Sequence, residues 1–186
     1  MSKATERFSN RVADYVKYRP GYPPAILALL RTRCGLKSDC VVADIGSGTG
    51  KLTDLFLQNN NPVFAVEPNS AMRTAAEHLL AHHKRLVSVG GTAEETNLNT
   101  ASVDFITAGQ AFHWFDRKRA KAEFARILKP GGWVVLIWNE RKLDSTPFLK
   151  AYEKLLLDHG TDYKEVRHEN VVPEITEFFA PKEVWV

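Results

Sequence analysis

Five short apolar runs alternate with helical segments along the chain, and this alternation constrains the fold more than any other sequence feature. The first run, residues 40–45, is rich in β-branched residues and ends at glycines, which is typical of a buried strand. Similar runs cover residues 62–66, 86–89, 103–108 and 133–138. Apolar strands separated by helices predict an α/β fold, in which a doubly wound, mostly parallel sheet is covered by helices on both faces.

Capping and helix-breaking residues mark where the intervening helices begin and end. Ser70 is predicted to cap the helix after the second strand, and Asp116 the helix after the fourth strand. The latter helix is predicted to include Leu128 and to end at residues 129–132, Lys-Pro-Gly-Gly, since proline cannot continue a helix. A further helix is predicted to end at Gly160, and its apolar residues recur at helical spacing: Phe148, Tyr152, Leu155 and Leu156.

Composition excludes several classes of protein. The chain has 186 residues, of which 44% are hydrophobic, and its net charge is +3, so the composition is that of an ordinary globular domain. No apolar run reaches the roughly 18 residues of a membrane span, and no secretory signal is visible. The two cysteines are too few for a disulfide scaffold, so a cytoplasmic location is expected. Seven basic and two acidic residues among the first 33 are too few to predict a nucleic-acid partner, and no membrane partner is expected.

Residues 42–50, Val-Ala-Asp-Ile-Gly-Ser-Gly-Thr-Gly, join the first predicted strand to a helix and form a glycine loop of the kind that approaches a ligand closely. A phosphate-binding P-loop is excluded, because Ile45 and Leu52 occupy two of its four required positions. A dinucleotide fingerprint fits poorly, because its third glycine would fall on Lys51. Asp44 would also repel a diphosphate by several kcal/mol at about 4 Å and an effective dielectric near 20.

A ligand without phosphate and with net positive charge suits the same loop better. S-adenosylmethionine carries an ammonium and a sulfonium beside one carboxylate, so Asp44 would attract its amino-acid part. Glu67 follows the second predicted strand, where an acid can accept hydrogen bonds from both ribose hydroxyls. A dinucleotide would use the same acid, so Glu67 predicts an adenosine ligand without choosing between the two cofactors.

Six segments together resemble the class I S-adenosylmethionine-dependent methyltransferases, over most of the chain from Tyr15 to Asn139. They are residues 42–50, Val-Glu-Pro-Asn at 66–69, Gly-Thr-Ala-Glu at 91–94, Ser-Val-Asp-Phe-Ile at 102–106, Gln-Ala-Phe-His-Trp-Phe at 110–115 and Leu-Lys-Pro-Gly-Gly at 128–132. In finer detail, Tyr-Arg-Pro-Gly-Tyr-Pro at 18–23 with Phe-His-Trp-Phe at 112–115 is similar to the branch of trans-aconitate-type and other small-molecule O-methyltransferases.

The resemblance implies a Rossmann-like methyltransferase fold and cofactor contacts at the matching positions. The methionine part of S-adenosyl-L-methionine, and of the product S-adenosyl-L-homocysteine, would lie along Asp44, Gly46, Ser47, Gly48 and Gly50. Glu67 would hold the ribose and Pro68 would flank the adenine. Thr92, Ala93 and Glu94 would contact the edge of the adenine, and Gln110 would lie next to the methyl group. Many family members carry Asp where this chain has Thr92, which moves adenine recognition toward Glu94 or the Ala93 backbone.

Aromatic and basic residues near these segments are candidates for substrate contacts. Phe112 and Trp114 could stabilise a sulfonium with their ring faces or wall a flat substrate, and the alternative is core packing. His113 is the one candidate base in this stretch, against a packing role. Tyr15, Tyr18 and Arg19 lie in the N-terminal arm, where Arg19 could clamp a carboxylate or simply face solvent.

Other features argue against nucleic-acid methylation and against a metal. Gly-Gln-Ala-Phe at 109–112 replaces the Asn/Asp-Pro-Pro-Tyr/Phe motif of exocyclic-amine methyltransferases. Neither cysteine follows the fourth predicted strand, so methylation of cytosine C5 through a cysteine is not expected. His78, His82 and His83 lie on a helix distant from the strand ends and have no matching acid or cysteine set, which favours a solvated helix end and no metal.

The resemblance also predicts an incomplete sheet. The family sheet has seven strands, the last two forming an antiparallel C-terminal edge, whereas this sequence ends as a strand begins at Val184. We therefore expect one methyltransferase domain made of an N-terminal arm (1–38), a cofactor-binding core (39–140) and a truncated C-terminal part (141–186). An uncovered fifth strand would be open to a homodimer partner.

These expectations combine into one leading hypothesis and two alternatives. The leading hypothesis is an enzyme that transfers a methyl group from S-adenosylmethionine to a small, acidic molecule by in-line displacement. The alternatives are a nucleotide-dependent oxidoreductase and a non-catalytic relative that binds S-adenosylmethionine.

Overall fold

The computed structural model describes residues 12–161, 163 and 172–180. Its helices are α1 (Val12–Tyr18), α2 (Ala25–Cys34), α3 (Lys51–Gln58), α4 (Ser70–Leu79), α5 (Arg117–Ile127), α6 (Pro147–His159) and α7 (Val172–Phe179). Its strands are β1 (Val42–Ile45), β2 (Val63–Val66), β3 (Leu86–Val89), β4 (Val103–Gly109) and β5 (Leu128–Ile137), and a 3-10 turn covers Phe112–Trp114. Within these described ranges, no helix combines the length and apolar composition needed to cross a bilayer.

The five strands form one parallel sheet in the order β3-β2-β1-β4-β5. β1 lies at its centre, and every residue of β1 is buried. The chain moves from β1 outward to β3, then returns so that β4 pairs with the other side of β1. The predicted α/β fold with a doubly wound sheet is confirmed, and the reversal of strand order places a topological switch point between β1 and β4.

The core lies between this sheet and the helices that cover it. Leu27 and Leu30 of α2 are buried together with Phe56 of α3 in the cluster that also contains Val42 of β1. The inner face of α5 is buried as well, through Ala120, Phe124 and Ile127. The buried residues of α2 and α5 recur at helical spacing, so one face of each helix packs on the sheet.

Two predicted boundaries are wrong. Asn69, not Ser70, caps α4: its side chain accepts a hydrogen bond from Met72 N at 3.1 Å, and its backbone is still extended while Ser70 is already helical. Asp116 caps α5 as predicted, accepting from Arg119 N at 3.2 Å.

The second wrong boundary concerns β5, which begins at Leu128 rather than at Trp133. Leu128 pairs with Val103 of β4 and Trp133 pairs with Phe105, so the strand contains an irregularity between these pairs. Gly131 takes the left-handed backbone there, with φ at +79°. The Pro-Gly-Gly sequence therefore ends α5 and also forms a bulge inside the strand that follows.

The chain divides into two compact units, residues 1–138 and 139–186. In the second unit, Thr146 caps α6 and the Gly160 N–H donates to Leu156 O at 2.9 Å, which confirms the predicted helix end. Three residues of the predicted apolar face of this helix are solvent-exposed, Phe148, Tyr152 and Leu155, with Phe148 at 73%, whereas Leu156 is half-buried. The predicted strand at Val184 lies outside the described residues. No described strand pairs with the outer edge of β5, and the homodimer through that edge stays a prediction.

Candidate functional site

The candidate site lies where β1, β2 and β4 end. These strands are adjacent and parallel, so the segments that follow them emerge at the same edge of the sheet. The segments are residues 46–50 after β1, residues 67–69 after β2 and residues 110–115 after β4. In open α/β sheets, ligands bind in the crevice at such a switch point.

Glycine is required in the loop 46–50 for two different reasons. Gly46, Gly48 and Gly50 all take left-handed backbone, with φ at +70°, +57° and +84°. A Cβ on Gly46 would lie 2.7 Å from the Cβ of Ala111, and one on Gly50 would lie 2.6 Å from Leu80 Cδ1. A Cβ on Gly48 would meet nothing within 4 Å. The loop is thus packed closely at both ends, and the space beside its middle glycine is open.

Glu67 connects the end of β2 to this loop. It is largely buried, and its Oε2 accepts a hydrogen bond from Gly48 N at 3.0 Å. Its Oε1 accepts from Asn69 N at 2.9 Å. Burial raises the pKa of Glu67, while these two backbone donors and the Arg73 guanidinium oppose the rise. Arg73 Nη1 also donates to the carbonyl oxygens of Glu67 and Pro68, at 2.7 and 3.0 Å, which fixes the turn that presents the carboxylate.

Asp44 occupies an interior position at the end of β1, with an exposed fraction of 1%. Thr53 of α3 donates its hydroxyl to Oδ2 at 2.6 Å, and Thr107 of β4 donates to Oδ1 at 3.0 Å. Asp44 and Thr107 are partners in the strand register, so their side chains lie side by side. Burial raises the pKa of Asp44 to about 6, against the effect of both hydroxyls. The carboxylate therefore joins three elements of the fold, and its contact with a cofactor stays a prediction.

The segment predicted to reach the adenine forms a tight turn after β3. Thr92 Oγ1 accepts hydrogen bonds from the N–H groups of Glu94 and Glu95, both at 3.2 Å, and Ala93 is buried. Glu94 Oε1 accepts from Asp116 N at 2.7 Å. This last bond ties the turn to the start of α5, beside the segment that follows β4, so Glu94 has a role in the fold that the sequence did not predict.

At the end of β4, Gln110 has a strained backbone, with φ at +56°, and its N–H donates to Ile137 O of β5 at 2.9 Å. Phe112 is fully buried and packs edge-on against Phe115, with ring centroids 5.9 Å apart, which agrees with the core-packing alternative. The His113 and Trp114 rings lie 4.7 Å apart, and Trp114 is 41% exposed. Of Phe112 and Trp114, the two aromatic residues predicted to contact the substrate, Trp114 is thus the one accessible to a ligand.

Tyr22 lies at this end of β4, and the sequence analysis did not predict it as a site residue. Its hydroxyl lies so close to Gly109 that a Cβ there would overlap it, with Tyr22 Cζ at 2.9 Å. Two signals could have found it: Tyr22 belongs to the Tyr-Arg-Pro-Gly-Tyr-Pro segment, and a glycine ending a strand marks a close approach. Tyr18 and Arg19 are solvent-exposed. The side chain of Tyr15 lies outside the described part of the chain.

Thr49 is a second residue that the sequence analysis missed. It is buried inside the glycine loop, and its hydroxyl oxygen has no hydrogen-bond partner within the part of the chain that the structure describes. A buried hydroxyl without a partner is unfavourable, so Thr49 is a strained point inside the glycine loop.

Comparisons with known proteins agree on one family. Residues 43–136 match the family described as "Methyltransferase domain". An uncharacterized methyltransferase of Mycobacterium tuberculosis is 40% identical over 167 residues, which are 90% of this chain and 64% of the relative. An uncharacterized methyltransferase of Schizosaccharomyces pombe is 34% identical over 154 residues, 80% of this chain and 58% of the relative. The chain therefore spans less than two thirds of the length of these relatives.

One solved structure of similar fold contains a bound ligand. A geranyl diphosphate C-methyltransferase of Streptomyces coelicolor is 19% identical, with a TM-score of 0.55 over 61% of this chain and 43% of that one. It was solved in complex with S-adenosyl-L-homocysteine, and at this identity the similarity concerns the fold.

Proposed function

The chain belongs to the family of methyltransferase domains, and on that premise we propose that it transfers a methyl group from S-adenosylmethionine to a small, acidic molecule. The main support for the proposal is the hydrogen bond from Gly48 N to Glu67 Oε2, which connects the glycine loop after β1 to the carboxylate after β2. This arrangement combines an open space at Gly48 with a carboxylate whose two oxygens each accept one backbone hydrogen bond and can accept another from a ligand. The family match does not favour the oxidoreductase alternative.

The residues present fit S-adenosylmethionine, which supplies an activated methyl group on a sulfonium when it is bound. Glu67 would hold the ribose hydroxyls, because a carboxylate accepts several hydrogen bonds at once. Gly48 leaves the backbone open to close approach, since it has no side chain and no neighbour on that side.

The segment after β4 supports a small acceptor held near the methyl group. Trp114 offers an exposed ring, and the Tyr22 hydroxyl lies beside Gly109 at the strand end, where it can donate to a carboxylate. The Arg117 guanidinium lies 5.9 Å from the centre of the Phe112 ring, which adds positive charge to this region. A carboxylate acceptor requires no base, so His113 would contribute position rather than proton transfer. Holding both groups in line is worth up to about 7–11 kcal/mol in well-oriented systems.

Calorimetric titration with S-adenosyl-L-homocysteine tests the cofactor, with NAD as the control ligand. We expect micromolar binding of the first ligand and none of the second. Glu67→Ala should weaken the binding about tenfold or more, because a hydrogen bond to a charged group contributes roughly 1.5–3 kcal/mol. Glu77→Ala, which removes an exposed glutamate of α4, should leave the affinity unchanged.

Release of S-adenosyl-L-homocysteine in the presence of small carboxylic acids and their methyl esters then tests the acceptor class. Turnover with the acids and none with the esters is expected. Tighter binding of NAD would contradict the cofactor assignment, and turnover with neutral molecules alone would contradict the acidic substrate.

A further inference from the structure

Asp54, His82 and His83 form a cluster of metal-ligating side chains outside the site described above. The sequence gives the histidines no acidic neighbour, but the fold brings Asp54 of α3 next to them. His83 Nε2 lies 3.0 Å from Asp54 Oδ1. One ligating atom from each of the three residues lies within 4.8 Å of the other two. Asp54 and His83 are half-buried and His82 is exposed, so the cluster opens to solvent on one side.

The chain after α4 turns so that two consecutive histidines face the same point. On a helix, neighbouring residues project about 100° apart. Here the helix has ended, and His83 N donates to Leu80 O at 2.9 Å in a turn. The two imidazole rings consequently lie with their centroids 4.1 Å apart and tilted by 40°.

Asp54 is oriented by a neighbour on its own helix. Gln58 Nε2 donates to Asp54 Oδ2 at 2.8 Å, which leaves Oδ1 directed at His83. Metal-binding carboxylates in proteins are commonly held by such an outer hydrogen bond. The cluster therefore has a ligand set and the beginning of its supporting shell.

We propose that Asp54, His82 and His83 bind one divalent transition-metal ion of the zinc class. Two imidazoles and a carboxylate are the donors that Zn²⁺ and chemically similar ions prefer. Around a tetrahedral Zn²⁺ ion, ligand atoms lie about 3.3 Å apart, given metal–ligand distances near 2.0–2.2 Å. The present spread of up to 4.8 Å closes through rotation of the exposed His82 side chain, with water in the fourth position.

Such an ion would join α3 to the turn that follows α4. Asp54 is in the first turn of α3, and its N–H donates to Gly50 O of the glycine loop at 2.8 Å. The ion would be a structural one, since none of the three residues belongs to the proposed cofactor site. The proposal does not depend on the proposed function.

Titration of the metal-free full chain with Co²⁺, followed by visible absorption, tests the proposal, and calorimetry with Zn²⁺ gives the stoichiometry. We expect one ion per chain and an increase in Tm on binding, because a ligand of the folded state stabilises it. His82→Ala and His83→Ala should each weaken the affinity at least tenfold. His78→Ala is the matched control, since it removes an exposed histidine of α4 outside the cluster.

Circular dichroism of each variant shows whether it has folded, and Asp54→Asn provides a third variant that keeps the side-chain shape. Three results would overturn the proposal: no saturable binding by the folded chain, binding unaffected by both cluster substitutions, or an equal loss in His78→Ala. In each case the contact between His83 and Asp54 would be an ordinary side-chain hydrogen bond.

Discussion

Replacing Asp44 by asparagine should remove a loss of stability that this protein undergoes as pH rises. The Asp44 carboxylate is enclosed among β1, α3 and β4, and it accepts hydrogen bonds from the hydroxyls of Thr53 and Thr107. Burial raises its pKa from the ordinary value of 3.8 to about 6, and the charge of Glu67 adds to the rise. Asparagine has nearly the same shape and no charge at any pH.

The sign follows from which state holds the proton. Between about pH 4 and pH 6, folded protein keeps a proton on Asp44 that the unfolded chain has released. The stability that Asp44 contributes is therefore full below pH 4 and is lost as pH rises through about 6. The pKa difference between 3.8 and about 6 corresponds to about 3 kcal/mol, at 1.36 kcal/mol for each factor of ten. Above pH 6, the charged and buried carboxylate destabilises the fold by about this amount.

Urea unfolding followed by tryptophan fluorescence, at several pH values from 4.5 to 7.5, measures this effect. The free energy of unfolding of Asp44→Asn minus that of the unsubstituted chain should increase by about 2 kcal/mol over this range, because the other third of the effect occurs below pH 4.5. Asp39→Asn removes an exposed carboxylate and controls for the change in net charge. A difference that stays constant with pH, or that decreases, would refute the reasoning.

Two further substitutions test the packing of the loop and the end of β4. In urea unfolding, Gly46→Ala should destabilise the fold by about 1–3 kcal/mol more than Gly48→Ala. Both substitutions strain a left-handed backbone, but only the Cβ of Gly46→Ala overlaps the Cβ of Ala111. Equal losses of stability in the two variants would contradict this packing. Tyr22→Phe should raise the KM for the acceptor about tenfold while the Kd of S-adenosyl-L-homocysteine stays the same, since it removes one hydroxyl beside Gly109. An unchanged KM would exclude Tyr22 from the acceptor site.

Most of the fold could be predicted because local patterns and tertiary packing agree. The strand Leu86–Val89 has the predicted bounds, and every predicted strand of the core is present. The errors arise where two residues compete for one role. Asn69 and Ser70 are both good caps, and only the backbone geometry selects the first. Leu128 fits the apolar face of α5, yet pairing with Val103 draws it into β5.

The site was harder to predict because its contacts join residues far apart in the sequence. The glycine loop and Glu67 could be identified from residue type and position at the strand ends. The hydroxyl groups of Thr53 and Thr107 donate hydrogen bonds to Asp44. This role could not be predicted from the sequence, since threonine is also an ordinary strand residue. The approach of Tyr22 to Gly109 likewise depends on the path of the N-terminal segment across the sheet.

Synthesis on the ribosome reaches β2 and β3 long before it reaches the strand that pairs with the other side of β1. Until residues 103–109 have been made, that side of β1 presents unpaired backbone groups and lacks Thr107 beside Asp44. An open strand edge in a nascent chain is a place where pairing with other chains begins. Docking of β4 closes this edge and, in the same step, brings Ala111 against Gly46. Docking of β4 therefore completes this side of the ligand crevice, while the open edge passes to β4 until β5 pairs with it.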